Sequence, residues 1–155
     1  MPIETIRMND RDAVEELWAL QHAAYRAEAA LIGVATLPPL LDTVETLLAS
    51  PERYYGFRTA EGQLVGAISC ETDSEGRNTL CRLMVHPDYH RQGIGSNLLE
   101  YMLSHEPAAV WTVTAEVRNR PALALYEKAG FVRKGTQNPV PDITLVLLER
   151  LVNEA

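Results

Sequence analysis

The 155-residue sequence contains only two cysteines, Cys70 and Cys81. Two are too few to staple a small secreted domain, and they lack the paired spacing of a structural zinc site, so both are expected to be thiols. Positive charge is also scarce: 14 Lys and Arg stand against 21 Asp and Glu, a net of −7. Duplex binding is dominated by phosphate neutralisation, so this balance argues against nucleic acid as the main partner, although a local anion site remains open. Long hydrophobic runs are missing as well. Met1 to Met8 has no apolar signal-peptide core, and the longest nearly continuous apolar stretch, Ala29 to Ala35, falls far short of a bilayer span. A cytoplasmic protein with no membrane partner is the expectation. Neither an internal repeat nor a low-complexity linker divides the chain, whose length suits one core, so residues 1–155 are expected to form a single domain.

What is present reads as an ordinary folded domain, with 46% apolar and 23% charged residues. Ile3 to Met8 alternates as a strand. Asn9 or Asp10 can then cap a helix carrying Val14, Leu17, Trp18, Ala24 and Tyr25 on its apolar positions. Beyond Gly33 and Pro38-Pro39, helical spacing resumes at Leu40, Leu41, Val44, Leu47 and Leu48 until Pro51. Tyr54 to Thr59, Gln63 to Glu71 and Thr79 to Val85 predict a three-strand meander, with a turn near Ser74 to Gly76 that sets Cys70 roughly opposite Cys81. Ile94, Leu98, Leu99, Met102 and Leu103 share one face of a third helix. Val110 to Val117 then reads as a central buried strand. Asn119 is placed to cap a fourth helix that stops at Gly130. Phe131 to Thr136 and Ile143 to Glu149 close the chain as strands joined by a loop containing Pro139 and Pro141.

The most informative segment is Val85-His86-Pro87-Asp88-Tyr89-His90-Arg91-Gln92-Gly93-Ile94-Gly95-Ser96, a strand end, a short loop and two glycines at a helix start. Helix N-termini present unpaired N–H groups and the positive end of the helix dipole, and glycine lets a phosphate approach the backbone. Arg91 adds a cation and Ser96 a hydroxyl donor. A loop that merely needs glycine for its turn is the competing explanation of the GxG alone. A dinucleotide fingerprint lacks its third glycine, replaced by Leu98, and a P-loop lacks a Lys-Ser or Lys-Thr pair after the glycines.

This segment resembles the acetyl-coenzyme A motif of the GCN5-related N-acetyltransferase (GNAT) family, written Q/R-x-x-G-x-G/A. A second block, from Asn119 through Ala122 and Tyr126 to Gly130-Phe131, resembles the family's N-x-x-A-x-x-x-Y-x-x-x-G-F signature. His90 stands where the family usually has Gln or Arg. The connection from Glu116 to Asn119 is shorter than in members with a Glu-Val-Arg-x-x-x-Asn strand end.

The resemblance implies an α/β (α+β) fold: a mixed, mostly antiparallel sheet of six or seven strands flanked by about four helices. Its splay lies between the fourth strand, Thr79 to Val85, and the fifth, Val110 to Val117. It further implies direct transfer of an acetyl group from acetyl-CoA, as cosubstrate, to an amine of a small molecule or peptide. Cofactor contacts are then expected at Leu83, Met84, Val85, Arg91, Gln92, Gly93, Ile94, Gly95, Ser96 and Asn119, with a homodimer as a possible assembly.

In this reading Tyr126 takes the position of the acid that protonates the departing thiolate, a role suited to a phenol with pKa near ~10; otherwise it is a core aromatic of the Ala122, Leu125, Ala129 stripe. Glu116 is the candidate base, its pKa expected to be raised by partial burial; a solvated strand-end carboxylate is the alternative. Tyr25 and Glu28 are candidate acceptor-side residues, together with the segment up to Leu40 and the loop Gln137 to Asp142. Four histidines, His22, His86, His90 and His105, have no accompanying acidic cluster, so no metal is expected. A coenzyme A-binding sensor with little catalysis is the second functional reading.

Overall fold

The computed structural model describes residues 2–152; the remaining ends of the expected domain, residue 1 and residues 153–155, lie outside the described residues. The chain forms β1 (Ile3–Thr5), α1 (Arg11–Ile32), α2 (Val44–Leu48), β2 (Arg53–Arg58), β3 (Leu64–Thr72), β4 (Asn78–Val85), α3 (Ile94–His105), β5 (Val110–Glu116), α4 (Arg120–Lys128), β6 (Val132–Val140) and β7 (Ile143–Leu151). The strands make one sheet in the order β1-β2-β3-β4-β5-β7-β6. Every pairing is antiparallel except β4 with β5.

Local chemistry explains the elements. Asp10 accepts the Asp12 N–H at 3.0 Å and starts α1, while Gly33, at φ 78°, donates its N–H to Ala29 O and ends it. Val14, Leu17, Leu20, Gln21, Tyr25, Ala29 and Ile32 recur at helical spacing on its buried face. The first strand ends at Thr5 rather than Met8, because Arg7 to Asp10 turn into the helix through an Asp10 N–H to Arg7 O bond. The expected second helix is split. Pro38 and Pro39 open a 3₁₀ turn over Pro38–Leu41, and α2 begins only after Thr43, which forms a reciprocal capping box with Thr46.

The β2-β3-β4 meander forms as expected, with one correction. A bulge between Ser69 and Cys70 pairs Cys70 with Leu80 and Ser69 with Arg82, which leaves Cys81 as the unpaired extra residue instead of facing Cys70. Both thiols are free, Cys70 fully buried and Cys81 half-buried. A second correction concerns the last hairpin. The β6 strand continues through Pro139 to Val140, leaving only the tight turn Pro141-Asp142. Proline is tolerated there because β6 is the exposed edge strand and is bulged at both Arg133/Gly135 and Gln137/Val140.

Each face of the sheet carries its own apolar layer. Helices α3 and α4 cover one side, where Leu98, Met102, Trp111, Leu123, Tyr126 and Phe131 pack together; α1 covers the other, with Leu17, Tyr25, Ala29, Tyr54, Ala67 and Met84. On β3, Gly66 permits close helix approach: a Cβ there would lie 2.8 Å from Ile94 Cγ2 and 3.0 Å from Leu98 Cδ1. The feature that positions the site is the brevity of the parallel pairing. Only Asn78 with Trp111 and Thr79 with Thr112 are in register, so from Leu80 onward β4 and β5 diverge. Among the described residues, no helix is long and apolar enough to cross a membrane.

Candidate active site

The splay leaves the β5-facing edge of β4 without a partner strand from Leu80 to Val85. Leu83 and Val85 pack toward the α3/α4 layer and Met84 is buried in the α1 layer, so the exposed chemistry of this stretch is its backbone. The following 3₁₀ turn, Pro87–Tyr89, is capped by His86, whose Nδ1 accepts the Asp88 N–H at 3.1 Å. His90 Nε2 lies 3.1 Å from Val85 O, so the imidazole in the family's Gln or Arg position braces the strand end against its own loop.

Two residues then adopt positive φ, Arg91 at 63° and Gly93 at 77°. Gly93 is the N-cap of α3, which has no side-chain cap, so the N–H groups of Ile94, Gly95 and Ser96 are left for an external acceptor. Arg91, Gln92, Gly93 and Ser96 are exposed, whereas Ile94 is buried and anchors the helix start. Gly95 does not have the positive φ that glycine would be needed for. A Cβ there would stand 3.6 Å from Leu125 Cδ2 and 3.8 Å from Val85 Cγ2, in ordinary contact between α4 and the end of β4. The cleft left by the splay thus has the open edge of β4 leading to unpaired amides, donors of the kind that a pyrophosphate with an amide-bearing arm requires.

Across the cleft, Asn119 Oδ1 caps α4 by accepting the Ala122 N–H at 3.3 Å, and among the described residues its Nδ2 has no acceptor. Tyr126 is 5% exposed, with its ring 5.8 Å from that of Phe131. Its hydroxyl bonds to no described residue. Burial first, and then the negative charge of Glu28, push the phenol well above its ordinary pKa, so it is a neutral O–H donor at pH 7. Tyr25 on α1 is shifted upward in the same way, by burial and then by Glu28 and Tyr126. Glu28 is half-buried; burial and the charge of Glu116 raise its pKa. Glu28 is thus electrostatically coupled to Tyr25, Tyr126 and Glu116.

Glu116 departs from expectation. It is 4% exposed, yet its pKa falls to about 2 instead of rising. The Arg118 side chain is the main cause, opposed by desolvation and aided by backbone donors. Oε1 accepts both the Arg118 N–H at 2.9 Å and Arg118 Nε at 2.8 Å, while Oε2 accepts the Thr144 N–H at 2.8 Å. Such a carboxylate is a weak proton acceptor.

Sequence reasoning also missed a buried polar bracket behind Tyr25. Arg82, a charged residue in the otherwise apolar end of β4, ion-pairs with Asp42 and lies 3.8 Å from Glu52. Asp42 also accepts Gln21 Nε2 at 2.8 Å, and its carbonyl accepts Trp18 Nε1 at 2.8 Å. The bracket ties α1 and the turn before α2 to β4. A lone arginine among the apolar residues of a half-buried strand was the available signal. Two surface hollows lie elsewhere, about 320 Å³ beside α4 at Val117 and Arg133 and about 410 Å³ over Trp18 and Arg26 on α1; of the expected acceptor-side segment Tyr25 to Leu40 only Arg26 lines either of them. Among the described residues, no three His, Cys, Asp or Glu side chains group as metal ligands.

Residues 51–133 match the acetyltransferase (GNAT) domain, which is more than half of the chain. The match extends from β2 through α4, the elements that build the splay, and the chain is a member of the GNAT family. It is 40% identical over 136 residues to the UPF0157 protein YqkA of Bacillus subtilis, covering 86% of this chain and 39% of that one. Over 83 residues it is 39% identical to the [Ribosomal protein bS18]-alanine N-acetyltransferase of Escherichia coli, covering 52% of this chain and 56% of the relative. The chain therefore spans less than two thirds of either relative. The PaiA N-acetyltransferase of Thermoplasma acidophilum, solved in complex with coenzyme A, superposes with a TM-score of 0.76 at 20% identity, covering 98% of this chain and 100% of the other, and so shares its fold.

Proposed function

We propose that this chain transfers an acetyl group from acetyl-CoA directly to an amine, on a small molecule or at a peptide end. The observation that carries the reading is the splay itself, which leaves an open edge on β4 leading to unpaired amides at the start of α3; the neutral buried phenol of Tyr126 on α4 supports it. Acetyl-CoA would supply the activated thioester; the chain supplies binding, orientation and proton handling. The amides of Ile94 to Ser96 hold the pyrophosphate at the positive end of α3, Arg91 adds a cation, and the β4 edge with Asn119 Nδ2 meets the arm. Tyr126 gives its proton to the departing sulfur, which it can do because it stays protonated until then.

On the acceptor side, an amine arrives mostly as ammonium, with pKa near ~10.4 for a lysine-type group. Glu28 attracts that cation and, as the carboxylate with an upward-shifted pKa, takes its proton; this replaces the expected role of Glu116. The name of the E. coli relative, an acetyltransferase for a ribosomal-protein alanine, supports an amine acceptor of peptide type. Neither cysteine enters the chemistry, since burial pushes the Cys70 thiol up to about 11 and the Cys81 thiol up to about 12, leaving little thiolate at neutral pH.

A screen of amines and peptide N-termini with a thiol reagent tests the proposal. Free coenzyme A appearing only when both acetyl-CoA and an acceptor are present is the expected result. Acetyl-CoA binding without thiol release for any acceptor would favour the sensor reading.

A further inference from the structure

We infer that Glu116 is a positioning residue for the acceptor side, a clamp that sets the β6–β7 hairpin against the mouth of the splay; the inference rests on the transfer reaction proposed above. Glu116 ends β5 where the strand has already lost β4 as a neighbour. A buried carboxylate is costly unless its oxygens are filled, and here three N–H donors fill them. Two come from Arg118 and the third from Thr144, at the start of β7. The Arg118 guanidinium continues to Asp142 O at 2.7 Å, inside the hairpin turn. Val117 N–H to Thr144 O at 2.8 Å and Asn138 Nδ2 to Thr144 Oγ1 at 2.8 Å complete the attachment.

Asp142 and Thr144, the two residues held by this system, flank Ile143. Ile143 packs against the α1-side cluster that contains Tyr25 and Met84, so it reaches across the splay from the β7 side to the α1/β4 side. One wall of the region around Tyr25 and Glu28 is therefore placed by Glu116 through backbone groups it grips directly or through Arg118. With both oxygens occupied, Glu116 acts by holding that wall in place while the proton passes elsewhere.

The test uses the full chain in two variants, Glu116→Gln and Arg118→Met, the second keeping the carboxylate and removing only the exposed guanidinium. In Glu116→Gln an amide N–H₂ must face a backbone or guanidinium donor, which opens the clamp. Expected for both are faster hydrogen exchange across residues 140–146, an acceptor KM raised by about tenfold or more, the loss of a charge-assisted hydrogen bond, and a kcat changed only a few-fold. The acetyl-CoA Kd should be unchanged by calorimetry, and the acid limb of the kcat–pH profile should persist. A kcat loss of roughly 10²- to 10⁴-fold in Glu116→Gln with unaltered KM and exchange would make Glu116 the proton acceptor and overturn the clamp. So would two variants indistinguishable from the parent chain. Should Glu116→Gln fail to fold, Arg118→Met decides. If no amine proves to be a substrate, the exchange measurement still judges the clamp, and the failure belongs to the transfer proposal.

Discussion

The Glu116 carboxylate accepts the Thr144 N–H at 2.8 Å, joining the end of β5 to the start of β7 at the point where the sheet has opened. This bond, with the two from Arg118, holds the folded-state pKa at about 2, below the ordinary glutamate value of ~4.3. A depressed carboxyl pKa contributes stability that is present above the unfolded value and is lost as pH falls through the folded one. Between about pH 5 and pH 2 the native protein should therefore lose on the order of 3 kcal/mol from this site alone. In Glu116→Gln that part of the acid sensitivity should disappear. Chemical denaturation across this range checks it, and an unchanged acid dependence in the variant would refute it.

Tyr126→Phe separates packing from catalysis. The ring keeps its place beside Phe131, and only a hydroxyl that bonds to no described residue is removed. Melting temperature and acetyl-CoA affinity should hardly change, while kcat falls by roughly 10²- to 10⁴-fold when chemistry limits the rate. Full retention of kcat would return Tyr126 to a core role.

Gly95→Val tests the anion cradle. A Cβ at this position meets Leu125 and Val85 at ordinary contact distances and faces no positive-φ strain, so the fold should survive. The branched side chain would occupy the cleft beside the free amides, and acetyl-CoA affinity should collapse in calorimetry. Gly93→Val is a less clean probe, because φ 77° costs a side chain about 1–2 kcal/mol before any ligand is considered. Unchanged affinity in folded Gly95→Val would move the cofactor elsewhere.

Glu28 has its pKa shifted in the opposite direction to that of Glu116, and the consequence is read in activity. Burial and the Glu116 charge raise its pKa, and only the ionised form accepts a proton, so kcat should climb as pH rises through that raised value. Glu28→Gln should lower kcat by roughly 10²-fold or more and flatten the acid limb. A variant with the limb intact would assign the proton transfer to water or another group.

The elements that carry the proposed cofactor side were legible in the sequence because their determinants are local. Gly93 and Gly95 at a helix start, Asn119 as a cap and Tyr126 one helical stripe away are set within short segments whose hydrogen bonds close within a few residues. The meander and the four helices followed from periodicity and caps in the same way. Where expectations failed, the cause was a partner distant in the chain or a local irregularity with no compositional mark. The bulge at Cys70 shifts register by a single residue, and Pro139 stays in β6 because an edge strand needs no N–H there.

The surroundings of the two carboxylates on the proposed acceptor side depend on tertiary structure. As a residue type, Glu116 suits a base as well as a clamp. Its burial suggested an upward pKa shift, yet the Arg118 side chain first, and then the backbone donors of Arg118 and of Thr144, 28 residues away, reverse the sign. Glu28, on α1, owes its raised pKa first to burial and then to the charge of Glu116, on β5 in the other half of the sheet. Local sequence thus determined which groups could bind phosphate and donate a proton, because helix ends and caps are short-range devices. Which carboxylate keeps exchangeable lone pairs was decided only by folding, because desolvation and charge coupling depend on what the rest of the chain brings to within a few ångströms.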